Sequence, residues 1–208
     1  LVYERTITLL DPKNPQVQIR RTLAPNVANS WQTKIVDLIM NDYNKRQHST
    51  WIVCGPPGCG KTTLGLLVAK RLTGPGTEPV TRTGVDFETP GLSLGIAYHT
   101  PIVTSPVILM LNEFDNAIRH AERKDDKTSA CATTCIANTP ATILNTLDYI
   151  ASTRYLILIA TANMKQSDLV TGIYKRYTRA GRFDNHYQVN SCGTPSARRA
   201  PPCGKKYK

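Results

Sequence analysis

Residues Gly55-Pro56-Pro57-Gly58-Cys59-Gly60-Lys61-Thr62-Thr63 have the types and spacing to hold a row of phosphates. The pattern G-x-x-x-x-G-K-T sets three glycines where the backbone must wrap tightly, so that successive N–H groups face an anion. Lys61 can reach the β- and γ-phosphates, and Thr62 can offer its hydroxyl to Mg²⁺. A glycine turn that happens to carry a lysine is the alternative, and the flanks argue against it. Trp51-Ile52-Val53-Cys54 is an apolar run suited to a buried strand, and Leu64 to Leu72 repeats apolar residues at helical spacing. Strand, glycine loop and helix together are the context of a phosphate-binding loop, with the helix N-terminus adding partial positive charge. Binding of a nucleoside triphosphate, ATP with Mg²⁺, is the chemistry expected.

A second set of residues could act on that nucleotide. Val107 to Leu111 are five consecutive apolar residues, read as a central parallel strand, and Asn112, Glu113 and Asp115 follow at its C-terminal end. A carboxylate at such a tip can hold Mg²⁺ through water, and the next can polarise an attacking water. Glu113 suits the second task. Asn112 stands where the metal-holding acid would be; an amide can accept a hydrogen bond from metal-bound water but brings no charge. Tyr155 to Ala160 reads as another buried strand, ending in Thr161-Ala162-Asn163. Asn163 is either a turn former or a group that orients water against the γ-phosphate. Arg179 and Arg182, around Ala180-Gly181, are either surface charges or groups that reach a neighbour's γ-phosphate.

The elements that must position these groups come next. A chain of 208 residues with 40% hydrophobic content can build one α/β domain with a sizeable core. Asn29-Ser30 can cap a helix from about Trp31 to Arg46, with Ile35, Leu38, Ile39 and Tyr43 on its inner face. Residues 73–83 read as a loop, and Gly84 to Tyr98 as broken strand-like pieces. Asn116 to Arg123 should be helical, Lys124 to Ser129 a charged connection. Pro140 to Ser152 reads as a helix with Ile143, Leu144, Leu147 and Ile150 inward, and His186 to Val189 as a short strand. The expected division is an N-terminal arm over 1–30 with one edge strand at Thr6-Ile7-Thr8-Leu9, a core over 31–190, and a flexible basic tail over 191–208.

The formal net charge is +11, and much of the excess lies in the tail, at Arg198, Arg199, Lys205, Lys206 and Lys208. Nucleic acid is one partner such a tail could grip. No apolar run approaches the length of a membrane span, and Leu1 to Arg5 carries no signal-peptide pattern. The chain starts at Leu1 rather than Met, which leaves room for a preceding segment. Cys131, Cys135, Cys192 and Cys203 match no standard zinc spacing, so free thiols are expected for all six cysteines.

Taken in order, GPPGCGKTT, LMLNEFD, ILNTLDYIAST, LILIATAN and RAGRFD resemble the AAA family of the AAA+ ATPases over roughly residues 30–190. Ile143 to Thr153 is similar to the branch of the mitochondrial Rieske-protein translocase ATPases. Asp86 to Gly91 through Asp115 is similar to AAA proteins of large DNA viruses. The resemblance implies that Glu113 is the catalytic glutamate and Asn163 the sensor residue beside the phosphates. It implies that Arg179 and Arg182 are arginine fingers donated to a neighbouring subunit in a homo-oligomeric ring such as a hexamer. The sequence departs from the family at Asn112, where Asp is usual, and at Ala180, where Pro is usual. It departs again in the longer stretch from Asn163 to Arg179. No aromatic pore loop stands out beyond Tyr98, and residues 190–208, with Pro195, Pro201 and Pro202, are too few for the family's helical lid.

The fold expected is an α/β P-loop domain, a central parallel sheet flanked by helices with the P-loop strand central and no lid. Three functions fit. One is an ATP hydrolase that works in a ring on a macromolecular substrate. Another is a lidless nucleotide-binding module that holds an assembly together with little turnover. The last is a basic ATPase acting on nucleic acid. The expected setting is intracellular and cytoplasmic, a viral protein in the host cell or virion being one form of it.

Overall fold

A computed structural model describes residues 6–10, 18–22, 28–74, 80–85, 101–124 and 139–190. The expected tail, Tyr98, the stretch 86–91, and Cys131, Cys135, Cys192 and Cys203 lie outside the described residues. Five parallel strands form the scaffold in the order β4-β5-β6-β3-β7: β3 (His48–Cys54), β4 (Val80–Val85), β5 (Val107–Leu111), β6 (Leu156–Ala162) and β7 (Asn185–Gln188). The antiparallel pair β1 (Thr6–Leu10) and β2 (Gln18–Thr22) extends this sheet beyond β4, with β1 parallel to β4. The N-terminal stretch thus carries two strands where one was expected. β4 also lies partly inside the span read as a loop: three of the four residues Val80-Thr-Arg-Thr are β-branched, a strand signal masked by the Gly and Pro before it.

The P-loop strand is not the middle of the sheet. β3 lies between β6 and β7, one strand from the edge. From β3 the chain crosses to β4 and returns through β5 to β6, then passes β3 to reach β7. The strand order therefore reverses between β6 and β3, and the crevice at their C-terminal ends is where a parallel sheet takes a ligand.

Strands β3, β5 and β6 are buried on both faces, which explains their near-continuous apolar runs. On one face Trp51, Val53, Ile108, Met110, Ile157 and Ile159 pack under α1 (Ser30–Arg46) and α2 (Leu64–Leu72). On the other, Ile52, Leu109, Leu111, Leu158 and Ala160 pack against α3 (Phe114–Lys124) and α4 (Pro140–Ser152). Short helices α5 (Gln166–Leu169) and α6 (Lys175–Thr178) fill the stretch before β7. Thr139 caps α4, its hydroxyl accepting from Thr142 N at 3.3 Å, with Pro140 at the first helical position.

The inner face of α1 differs from the expected one. Ile35, Ile39 and Tyr43 are buried, but Leu38 is 41% exposed and Val36 and Gln32 take the inward positions. At 100° per residue, positions 32, 35, 36, 39 and 43 cluster on one stripe and Leu38 falls well off it. In α4, Ile143, Leu147 and Ile150 are buried as expected, with Leu144 half-buried at their margin. Among the described residues no helix is long and apolar enough to cross a membrane.

Candidate functional site

The loop from Gly55 leaves β3, turns through the short 3₁₀ segment Lys61–Thr63 and enters α2. Gly60 has φ 89°, a left-handed conformation that side chains resist. At Gly55 the constraint is space instead: a Cβ there would sit 2.8 Å from Val189 Cβ. The loop's start is stitched to its neighbours, since Gly55 N donates to Ala162 O at 3.1 Å and Val189 N donates to Cys54 O at 2.8 Å. An open groove of about 710 Å³ runs beside it, bordered by Gly55, Pro56, Asn163, Lys165 and Val189.

Lys61 is buried, and its ammonium donates to Gly55 O and Pro56 O at 2.8 Å each and to Asn163 Oδ1 at 3.0 Å. It also reaches Cys59 Sγ at 3.7 Å. The lysine of the loop and the asparagine at the β6 tip therefore meet across the strand-order reversal. An ammonium can only donate, so Asn163 Oδ1 faces Lys61 and Asn163 Nδ2 is left to donate elsewhere. Thr62 is exposed at the head of α2.

Next to β6, the tip of β5 carries Asn112 and Glu113. Asn112 Oδ1 is buried and receives no hydrogen bond from the described residues. A buried carbonyl oxygen without a donor is destabilising, and a water held on a cation is a donor it lacks. By chemistry the Asn112 amide oxygen and the Thr62 hydroxyl are oxygen donors that suit Mg²⁺ through its water, with an amide in place of a carboxylate. Glu113 sits at φ 52°, one of three non-glycine residues in the left-handed region among the described residues. Its carbonyl accepts from Asn116 N and Ala117 N, which starts α3, and its own N–H donates to Thr161 Oγ1 at 3.2 Å. Strain of this sort persists only where surrounding bonds over-determine it.

The Glu113 carboxylate is held too. Asn116 Nδ2 donates to Glu113 Oε2 at 2.9 Å, and Arg119 Nη2 donates to Asn116 Oδ1 at 2.6 Å. The guanidinium fixes which way the amide faces, because it can only donate. Arg119 is anchored in turn on buried Asp115, whose Oδ2 accepts at 3.1 Å and whose Oδ1 accepts from Asn163 N at 3.3 Å. One buried carboxylate thus links the helix carrying Asn116 to the backbone of Asn163. Burial, with the charge of Asp115 second, pushes the Cys54 thiol up to about 12, so Cys54 stays a neutral apolar group beneath the site.

The two arginines part ways. Arg179 is exposed at the end of α6. Arg182 is 5% exposed, and its Nε and Nη2 grip Asp148 Oδ1 and Oδ2 at 2.6 and 2.8 Å while Nη1 donates to Arg176 O. Of the two expected fingers, the Arg182 guanidinium is engaged within its own chain and the Arg179 side chain is exposed. Hydrogen bonds from Arg182 hold the Asp148 carboxyl below the usual carboxylate range.

Sequence reasoning missed Gln32, Asn116, Arg119 and Asp148 and the bonding roles of Thr161 and Asp115. Gln32, on α1 and 5% exposed, donates from Nε2 to Gly60 O at 2.9 Å and to Thr63 Oγ1 at 2.8 Å, and accepts from Asn29 N at 2.8 Å. The spacing Asn29-x-x-Gln32 is a helix-start signature that could have flagged the last of these bonds, but not the first two.

A family model described as "ATPase family associated with various cellular activities (AAA)" matches residues 51–191. That span holds the loop, Asn112, Glu113, Asn163 and both arginines; Gln32 precedes it. No curated protein sequence matches the chain.

Proposed function

Because the chain belongs to the AAA family of ATPases, we propose that it hydrolyses ATP in a ring of its own copies and uses the cycle to remodel a macromolecular substrate. The observation that carries this reading is the meeting of Lys61 Nζ and Asn163 Oδ1 at 3.0 Å, with Glu113 braced on the adjoining strand tip. Phosphoryl transfer needs mainly positioning and charge stabilisation, and these are the groups for it. The loop's N–H groups bind the phosphates, and Lys61 turns toward them the protons that it gives to Gly55 O and Pro56 O without nucleotide. Glu113 keeps Oε2 on Asn116, which leaves Oε1 to accept the proton of an attacking water. Asn163 Nδ2 aims that water while Oδ1 stays on Lys61. Thr62 and Asn112 would hold Mg²⁺ through water, which would supply neutralisation of phosphate charge. Arg179 from a neighbouring subunit meets charge developing at the γ-phosphate; such a finger can contribute about 10³–10⁵ in rate.

The test is Mg²⁺-dependent ATP hydrolysis against protein concentration. Specific activity rises as the ring assembles, and Arg179→Ala abolishes it. Glu113→Gln keeps ATP binding and loses turnover; hydrolysis at the parent rate in that variant overturns the assignment. The neutral amide of Asn112 favours a second reading, a nucleotide-held assembly module with little turnover. ATP binding without hydrolysis at any concentration would select it. The nucleic-acid reading rests on residues 191–208, outside the described chain.

A further inference from the structure

We propose that Gln32 is a positioning residue of the phosphate loop: from α1 it sets the orientation of the Gly60–Lys61 peptide and so aims the Lys61 N–H into the cradle. The inference rests on the nucleotide-binding reading above and adds to it a residue that touches no phosphate.

Gln32 is almost fully buried and its amide is fully used. Both Nε2 hydrogens are given away, to Gly60 O at 2.9 Å and Thr63 Oγ1 at 2.8 Å, and Oε1 accepts Asn29 N at 2.8 Å. The orientation of this amide follows from its partners. Asn29 N can only donate and Gly60 O can only accept, so Oε1 must face the first and Nε2 the second. Thr63 Oγ1 then donates its single hydrogen to Gly60 O at 2.7 Å. Gly60 O is thereby held by two donors on one side.

A trans peptide is planar, and its C=O and N–H point in opposite directions. The Gly60 carbonyl and the Lys61 N–H belong to the same peptide. Drawing the carbonyl toward α1 therefore turns the Lys61 N–H away from α1, toward the side where the loop wraps an anion. Without the two donors that peptide can rotate, and the cradle loses a fixed dipole where charge must be met.

Gly60 itself fits this role. A Cβ there would lie 2.8 Å from Gln32 Nε2, so Gln32 occupies the space a side chain at Gly60 would take. The glycine thus serves its left-handed φ of 89° and the close approach of Gln32 at once. Gln32 also lies before the span matched by the family model, so the brace is supplied by this chain's own leading helix. Through Asn29 it ties the loop to the first turn of α1.

The full chain is tested with ATP and with ADP as probes, by titration calorimetry and by melting with and without nucleotide. Gln32→Leu keeps the shape and removes every hydrogen bond. Gln32→Glu keeps an acceptor for Asn29 N and turns an acceptor on Gly60 O. Both raise the Kd for ATP and for ADP about tenfold on the folded fraction, so the nucleotide-induced rise in Tm shrinks in each, whatever fall in Tm the lost hydrogen bonds cause without nucleotide. Thr63→Val, added to Gln32→Leu, weakens binding by less than the product of the single effects, since both act on one carbonyl. The amide resonance of Lys61, which moves on adding ADP to the parent, moves less in Gln32→Glu. Parent affinity for both nucleotides in either folded variant overturns the inference and leaves the nucleotide-binding reading standing. A parent chain that binds neither nucleotide overturns both.

Discussion

Removing Asp148 should destabilise the fold more than removing Arg182, although the two form a single ion pair. The asymmetry comes from burial: the Arg182 side chain is 6% exposed and that of Asp148 is 48% exposed. In Asp148→Ala the guanidinium stays buried with only Arg176 O left to accept from it. Stranding a buried charge by removing its partner costs about 3–5 kcal/mol, and the open Asp148 side lets some water in, so the lower end, about 3 kcal/mol, applies. In Arg182→Met the stem still fills its place, and the half-exposed carboxylate rehydrates. What is lost are charge-assisted hydrogen bonds of about 1.5–3 kcal/mol each way of counting, discounted for solvent screening to about 1.5 kcal/mol in total.

For a chain of this length each kcal/mol moves Tm by about 2–4 °C. Asp148→Ala should therefore melt about 6–12 °C below the parent and Arg182→Met about 3–6 °C below. The double variant should fall short of the sum, because one interaction is removed twice. The pH dependence has a definite sign. Asp148 is held below its unfolded value, so the pair's contribution is present above about pH 4 and is lost as pH falls through the folded pKa. The gap between the parent and Asp148→Ala should therefore close in acid. Urea unfolding followed by circular dichroism at several pH values reads all of this, with ATP turnover measured on the folded fraction. An Arg182→Met variant of parent stability that loses turnover only when mixed into assemblies would refute the reasoning, since Arg182 would then be serving a neighbour.

Three further outcomes follow from the site's geometry. Glu113→Gly should raise stability by about 0.5–1 kcal/mol in urea unfolding, because it relieves a left-handed non-glycine residue of φ 52°, while turnover disappears. Loss of stability there would mean the backbone is not strained. Asn116→Leu should lower kcat about tenfold with the Kd for ATP unchanged, because it frees the Glu113 carboxylate without touching the loop; a change confined to ATP affinity would count against that role. Burial depresses His48 below the usual imidazole value, against a hydrogen bond between Nδ1 and Thr153 O at 2.8 Å. The contribution of its neutral ring is present above about pH 6.5 and is lost as pH falls through the folded pKa. Unfolding free energy should thus decline below that pH, and His48→Leu should flatten the decline; an unchanged slope in the variant would show that another group titrates.

The loop, the β5 tip and the asparagine at the β6 tip were legible because each is a contiguous pattern. Gly55 to Thr63 declares itself by spacing, and five buried residues before Asn112 can only be a strand sheathed on both faces. Arg182 shows the limit. Around Ala180-Gly181 its neighbour Arg179 reads the same, and only the position of Asp148, 34 residues away, decides that one guanidinium is engaged and the other exposed. Gln32 was illegible for the same reason: its partners Gly60 and Thr63 come about 30 residues later, and a polar residue on the inner stripe of a helix carries no local sign of whom it serves. The displaced Leu38 follows from it, since the stripe that includes Gln32 is the one that turns inward. β4 was hidden by composition, where glycine and proline just upstream outweighed the β-branched residues of Val80-Thr-Arg-Thr.

What these distant contacts have in common is that they join strand tips sideways. Glu113 N to Thr161, Asn163 N to Asp115, Gly55 N to Ala162 and Val189 N to Cys54 run from β5 across β6 and β3 to β7. A loop alone can bind phosphates, but on the proposed reading hydrolysis would need Lys61, Asn163 and Glu113 to keep their spacing while charge moves, and each comes from a different strand tip. Loosening one lateral bond should therefore disturb turnover before it disturbs binding. Gln32 lies outside this row, behind the loop, so loosening it should disturb binding first. The two orders of failure separate the parts of the site that hold the nucleotide from those that act on it.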